Sequence, residues 1–152
     1  MGRCTWSLIV AFDINEFLPY RMVRLANAMS EAFSEVYEQA GLTVPQWRVL
    51  VHLAQHPGAT AKQLCDLASM DKSTVSRAIK QLQQQSMLVA QQSETDKRAT
   101  EMHLTPLGLA LYETLTPEAL AWESKLLSEL NPEEKQALLV MMQKLEGHFL
   151  SR

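Results

Sequence analysis

The stretch Asp71-Lys72-Ser73-Thr74-Val75-Ser76-Arg77-Ala78-Ile79-Lys80-Gln81-Leu82 decides the fold. Asp71 is a good helix N-cap, because its carboxylate can accept an N–H that the first turn leaves unpaired. Val75, Ile79 and Leu82 then recur at helical spacing and mark a buried side. The opposite side carries Ser73, Thr74, Ser76, Arg77, Lys80 and Gln81. Two short strands are predicted next, at Met87–Ala90 and Thr100–Leu104, around a charged tip, Glu94-Thr95-Asp96-Lys97-Arg98. The chain re-enters a helix at Leu104-Thr105-Pro106-Leu107-Gly108, with Thr105 as cap and Pro106 at the first helical position. A polar helix followed by a basic-tipped hairpin can touch DNA in two places.

Working toward the N-terminus, Thr60-Ala61-Lys62-Gln63 has the form of a capping box and opens a helix to about Ala68. Two helices joined by a tight turn match a helix-turn-helix, whose second helix lies in the major groove. Thr43-Val44-Pro45-Gln46 opens an earlier helix in the same way, and His56-Pro57-Gly58 stops it. Before it, Met22, Leu25, Met29, Phe33, Val36 and Ala40 form one face of a long helix between Pro19 and Gly41. Toward the C-terminus, Leu107, Leu111, Leu115, Trp122, Leu126 and Leu130 form another stripe. Pro117 lies within it, and a kink or break is expected there. Asn131-Pro132-Glu133-Glu134 opens a last helix, striped by Leu138, Met141, Met142, Leu145 and Phe149.

Charge divides the chain in the same places. It has 152 residues with 14 Lys/Arg and 17 Asp/Glu, net −3. Residues 42–104 hold seven basic and five acidic side chains, whereas residues 1–41 and 105–152 are each net acidic. A polyanion is attracted to the middle and repelled from the ends. Arg77 can fork onto a guanine edge. The hydroxyls of Ser73, Thr74 and Ser76 suit bases or phosphates, and Lys80 suits a phosphate. Lys97 and Arg98 can reach the next minor groove or its rim. Lys62 is a further phosphate candidate. Asp96 would repel phosphate, so a structural role is expected of it, holding the Arg98 guanidinium.

Other chemistry is sparse. There is no glycine-rich phosphate loop and no nucleophile with an evident base, so an enzyme is not expected. His52 and His56 have zinc-pair spacing, but Leu53 stands where a metalloprotease has Glu and no third ligand is evident; no metal or cofactor is implied. Cys65 is expected in the core with Ala61, Leu64 and Ala68. Cys4, near Arg3, is a candidate redox sensor in an N-terminal arm. Trp47 and Arg48 are an aromatic-plus-cation pair for an aromatic carboxylate, with Trp47 in the core as the alternative. Two cysteines and no long apolar run fit a cytoplasmic protein with no membrane span.

Three motifs in order now point to a family. Asp96, Arg98, Met102, Leu104, Thr105 and Gly108 match the wing pattern of the MarR (multiple antibiotic resistance regulator) family of bacterial transcription factors, with Met102 where Val is usual. Lys72-Ser73-Thr74-Val75-Ser76-Arg77 resembles that family's recognition helix. Leu42-Thr43-Val44-Pro45-Gln46-Trp47-Arg48-Val49-Leu50 resembles the segment entering its winged-helix lobe. The resemblance spans about residues 17–149. It implies a mainly α fold with a small β-hairpin wing: an arm at 1–16, a helical dimerisation lobe from 17–41 and 105–152, and a winged helix-turn-helix lobe at 42–104. It also implies a homodimer on a pseudopalindromic double-stranded operator. Such proteins mostly repress, and many release DNA on binding a small phenolic or carboxylated effector. The rival expectations are a redox-responsive regulator using Cys4, and a winged-helix interaction module that does not bind DNA.

Overall fold

The computed structural model describes residues 12–150. Six helices and one two-stranded antiparallel sheet follow in the order α1 (Leu18–Glu38), α2 (Val44–Gln55), α3 (Ala61–Ala68), α4 (Lys72–Gln84), β1 (Leu88–Gln92), β2 (Thr100–Leu104), α5 (Pro106–Leu127) and α6 (Pro132–Phe149). The chain divides into two compact units, 1–44 and 45–152.

The first unit is dominated by α1. An Asx turn precedes it, in which the Asp13 carboxylate accepts the backbone N–H of Asn15 at 2.8 Å. Pro19 sits in its first turn. At its end Gly41 takes φ +73°, so that the N–H groups of Gly41 and Leu42 return to the carbonyls of Glu38 and Tyr37. That is a Schellman closure, and glycine enters the left-handed conformation without a Cβ penalty. Phe33 packs edge to face on the buried Tyr37, with ring centroids 5.5 Å apart. Met22 and Leu25, at the other end of the expected stripe, are exposed.

The second unit holds the core of the winged helix. Val49, Leu50 and Leu53 of α2, Leu64 of α3, Val75 and Leu82 of α4 and Leu88 of β1 are all essentially inaccessible. Each expected start signal for α3 to α6 is present as local chemistry. Thr60 and Gln63 form a reciprocal capping box, as do Asn131 and Glu134. Asp71 caps α4, and Thr105 caps α5 with Pro106 in the first turn. Helices α3 and α4 end in Schellman closures in which serine, not glycine, takes the left-handed position: Ser69 at φ 50° and Ser86 at φ 58°.

The sheet pairs Leu88 with Leu104 and Gln92 with Thr100, so β1 begins one residue later and ends two later than expected. The segment before α3 joins it. Gly58 N–H donates to the Met102 carbonyl, and Met102 N–H to that of Ala59, both at 3.0 Å. Helix α5 starts hard against the turn from α4 to β1. Thr105 donates through its N–H to Met87 O at 3.0 Å and through its hydroxyl to Ser86 O at 2.7 Å.

One expectation is narrowed here and one needs correction. Helix α5 runs through Pro117 without a break. A proline removes one N–H of a 22-residue ladder, and the flanking turns hold. The Thr116 hydroxyl donates to the Tyr112 carbonyl at 2.7 Å, a back-bond of the kind that accompanies bending rather than rupture. Cys65 is half-buried rather than in the core, on the wall of a cleft lined also by Ala61, Lys62, Asp66 and Lys72. Its neighbours Leu64 and Ala68 take the buried positions. The stripes of the end helices are largely exposed within one chain. Helix α6 has no buried residue, and Leu138, Met141, Met142, Leu145 and Phe149 all face solvent.

Candidate nucleic-acid interface

Burial of Val75, Ala78, Ile79 and Leu82 fixes the rotation of α4. Ser73, Ser76, Arg77, Lys80 and Gln81 are thereby turned outward. Lys72, Arg77 and Lys80 are the charged residues of this helix, and it contains no acid. Its start is held by Asp71, whose carboxylate accepts the Thr74 N–H at 2.9 Å and the Thr74 hydroxyl at 2.6 Å. Thr74 is half-buried and its proton is engaged there, so its first task is the cap. The Arg77 side chain lies back along the helix, with Nε 3.4 Å from the Ser73 carbonyl.

Those hydrogen bonds from Thr74, with others from Ser73, lower the Asp71 pKa to about 2. A depressed carboxylate stabilises the fold above its unfolded pKa, near 3.8, and that stabilisation is lost as pH falls through about 2. Acid unfolding should therefore steepen across this window. Asp71→Asn, which keeps an acceptor but cannot titrate, should flatten the pH dependence of denaturation between pH 5 and 2. An unchanged slope would remove Asp71 from the acid response.

The wing tip is built by residues that sequence reasoning did not single out. Ser93 is buried, and its Oγ accepts the N–H groups of Thr95 and Asp96, each at 3.3 Å. Gln92 donates through its amide to the Lys97 carbonyl at 2.6 Å. Asp96 does have a structural task, but not the expected one. Its Oδ1 accepts the backbone N–H of Arg98 at 2.9 Å, and no Asp96–Arg98 ion pair forms. A carboxylate two residues upstream closes a tight turn through the nearby N–H, leaving the long guanidinium side chain outside. Lys97 and Arg98 are both exposed, and neither is in an ion pair.

The remaining candidates are dispersed. Lys62 is exposed and shares its cleft with Lys72, a cation that the sequence reading passed over. Trp47 is half-buried and Arg48 exposed at consecutive positions of α2, which a helix turns about 100° apart. His52 and His56 stack with centroids 6.4 Å apart. Burial, then the nearby His56 and Arg48, push the His52 pKa down, and its Nδ1 is buried without a hydrogen-bond partner. Among the described residues no group of three or more His, Cys, Asp or Glu side chains could hold a metal ion. Cys4 lies outside the described residues.

The architecture has known counterparts. The MarR family model matches residues 40–99, from before α2 to the end of the wing tip, just short of β2. The uncharacterized HTH-type transcriptional regulator YwoH of Bacillus subtilis is 29% identical over 124 residues, covering 82% of this chain and 90% of its own length. A MarR/EmrR family transcriptional regulator from Acinetobacter sp. ADP1 superposes with a TM-score of 0.81 at 27% identity, covering 93% of this chain and all of that one. The chain is similar to the MarR family of transcriptional regulators. Its fold is the winged helix-turn-helix found in such regulators. The MarR fold extends to more distant chains. Bordetella bronchiseptica BpsR, whose DNA binding is regulated by 6-hydroxynicotinic acid, has a TM-score of 0.79 at 24% identity, covering 89% of this chain and 96% of that one. Among the described residues no helix is long and apolar enough to cross a membrane.

Proposed function

We propose that two copies of this chain bind a pseudopalindromic operator as a cytoplasmic repressor, and that a small phenolic or carboxylated ligand releases them. The observation that carries the DNA reading is the outward face of α4, basic and free of acid, followed in sequence by a wing tip whose two cations are unpaired. Arg77 reads a base edge. Ser73, Ser76 and Thr74 contact bases or phosphates at the helix start, and Lys80 and Lys62 hold phosphates. Lys97 and Arg98 reach the adjacent minor groove. An interaction module would instead favour aromatic or aliphatic anchors on this face.

The exposed stripes of α1, α5 and α6 support the dimer. Soluble monomers seldom leave so many large apolar side chains in water, and the net acidity of residues 1–41 and 105–152 suits a partner chain better than DNA. Dimerisation through residues 17–41 and 105–152 would set the recognition helices about 34 Å apart, one turn of DNA. The effector class is supported by BpsR, which responds to an aromatic carboxylic acid.

Binding to mixed genomic fragments, titrated with salt, tests the reading. Sequence preference with a steep salt dependence is expected. No affinity at low salt, or no preference among fragments, would overturn it. Sedimentation at micromolar concentration should give a dimer; a monomer would remove the dimer.

A further inference from the structure

Ser73, Arg77 and Gln81 are spaced four positions apart, so the three form one row along the exposed side of α4. All three are exposed, and the Gln81 side-chain amide makes no hydrogen bond among the described residues. Gln81 and Arg77 are about 6 Å apart along the helix axis, close to two steps of about 3.4 Å between base pairs. The Arg77 side chain already leans toward the N-terminus, as its Nε–Ser73 O distance of 3.4 Å shows. Helical side chains share that lean, so Gln81 covers the turn immediately behind Arg77.

Resting on the DNA reading above, we propose that Gln81 is a second base-reading residue, and that each operator half-site carries an adenine about two base pairs from the guanine contacted by Arg77. The chemistry sets the choice of bases. A glutamine amide offers one donor and one acceptor, the complement of adenine N7 and N6 in the major groove; a guanidinium offers two donors, the complement of guanine O6 and N7. Gln84 has the same amide but is the last residue of α4, about 10 Å beyond Arg77, nearer three base-pair steps than two. Lys80 is the other cation in reach. It carries no acceptor and cannot make the adenine pair.

The test is selection of binding sites from a randomised DNA library, using the full chain, Arg77→Ala, Gln81→Ala and Gln84→Ala. The parent chain should select sites with a guanine and an adenine about two base pairs apart in each half. Gln81→Ala should lose roughly ten-fold or more of its discrimination at the adenine and keep the guanine; Arg77→Ala should do the reverse, and Gln84→Ala should keep both. If Gln81→Ala still selects the adenine, or the parent selects none, the Gln81 assignment is overturned while the DNA reading stands. If the parent selects no sequence at all, the DNA reading itself fails. Circular dichroism of each variant separates loss of contact from loss of fold, since Gln81 is exposed and its replacement leaves the buried side of α4 intact.

Discussion

Gly108→Ala is expected to lower the melting temperature, although the same exchange in most helices raises it. Alanine is favoured over glycine inside a helix by about 1 kcal/mol. At Gly108, in the first turn of α5, a Cβ would overlap the carbonyl oxygen of Met87. That oxygen is fixed, because it accepts the Thr105 N–H at 3.0 Å, and the Thr105 hydroxyl is tied to the next carbonyl back, Ser86 O, at 2.7 Å. Relief requires α5 to lift off the turn that leads into β1, and both hydrogen bonds loosen when it does. We expect a net loss of about 2–3 kcal/mol, in the range for overpacked sites, and therefore a fall of about 4–12 °C for a chain of this size. Gly147→Ala is the control, since nothing lies within 4 Å of a Cβ built there. It should stabilise. Both are to be melted at equal protein concentration, because association shifts the midpoint. A rise at Gly108 matching that at Gly147 would mean α5 does not press on the wing turn.

This pair of glycines shows what a sequence reading can and cannot recover. Gly108 was visible as the last letter of a family pattern, but its reason, a backbone carbonyl from 21 residues earlier, is a tertiary fact. Start signals were different. Thr60, Asp71, Thr105 and Asn131 cap their helices through groups three residues away, so spacing alone revealed them. Of the kink or break expected at Pro117, the break does not occur, because the rule concerns one missing N–H and a long helix tolerates that loss. Cys65 misled because the apolar face of α3 is only eight residues long, and its edge is shared with a cleft. The charged residues of the candidate interface were legible as charge. The scaffold beneath them was not. Ser93 and Gln92 look like ordinary polar loop residues until the tip closes and turns their side chains onto backbone groups. Asp96 was correctly expected to be structural, but its partner is an N–H and not a side chain.

That scaffold makes the wing separable into charge and shape. Lys97 and Arg98 enter its hydrogen bonds through main-chain atoms, the Lys97 carbonyl and the Arg98 N–H. Truncating both side chains to alanine therefore removes two exposed cations and leaves the loop standing. For Lys97→Ala with Arg98→Ala we expect affinity to fall about ten- to hundred-fold at moderate salt, and the slope of log K against log salt to shrink by about 2, near 0.9 per lost phosphate contact. The order of preference among DNA sequences should change little if, as proposed, the bases are read by α4. Ser93→Ala does the converse. It keeps both charges but leaves the Thr95 and Asp96 N–H groups without their acceptor, a cost of about 1–3 kcal/mol where such groups stay buried. Affinity should drop while the salt slope stays near that of the parent, since the same cations arrive less often in the right place. If the double variant instead keeps the parent's slope, the wing cations do not meet phosphate, and the electrostatic part of binding must come from Lys62, Lys72 and Lys80.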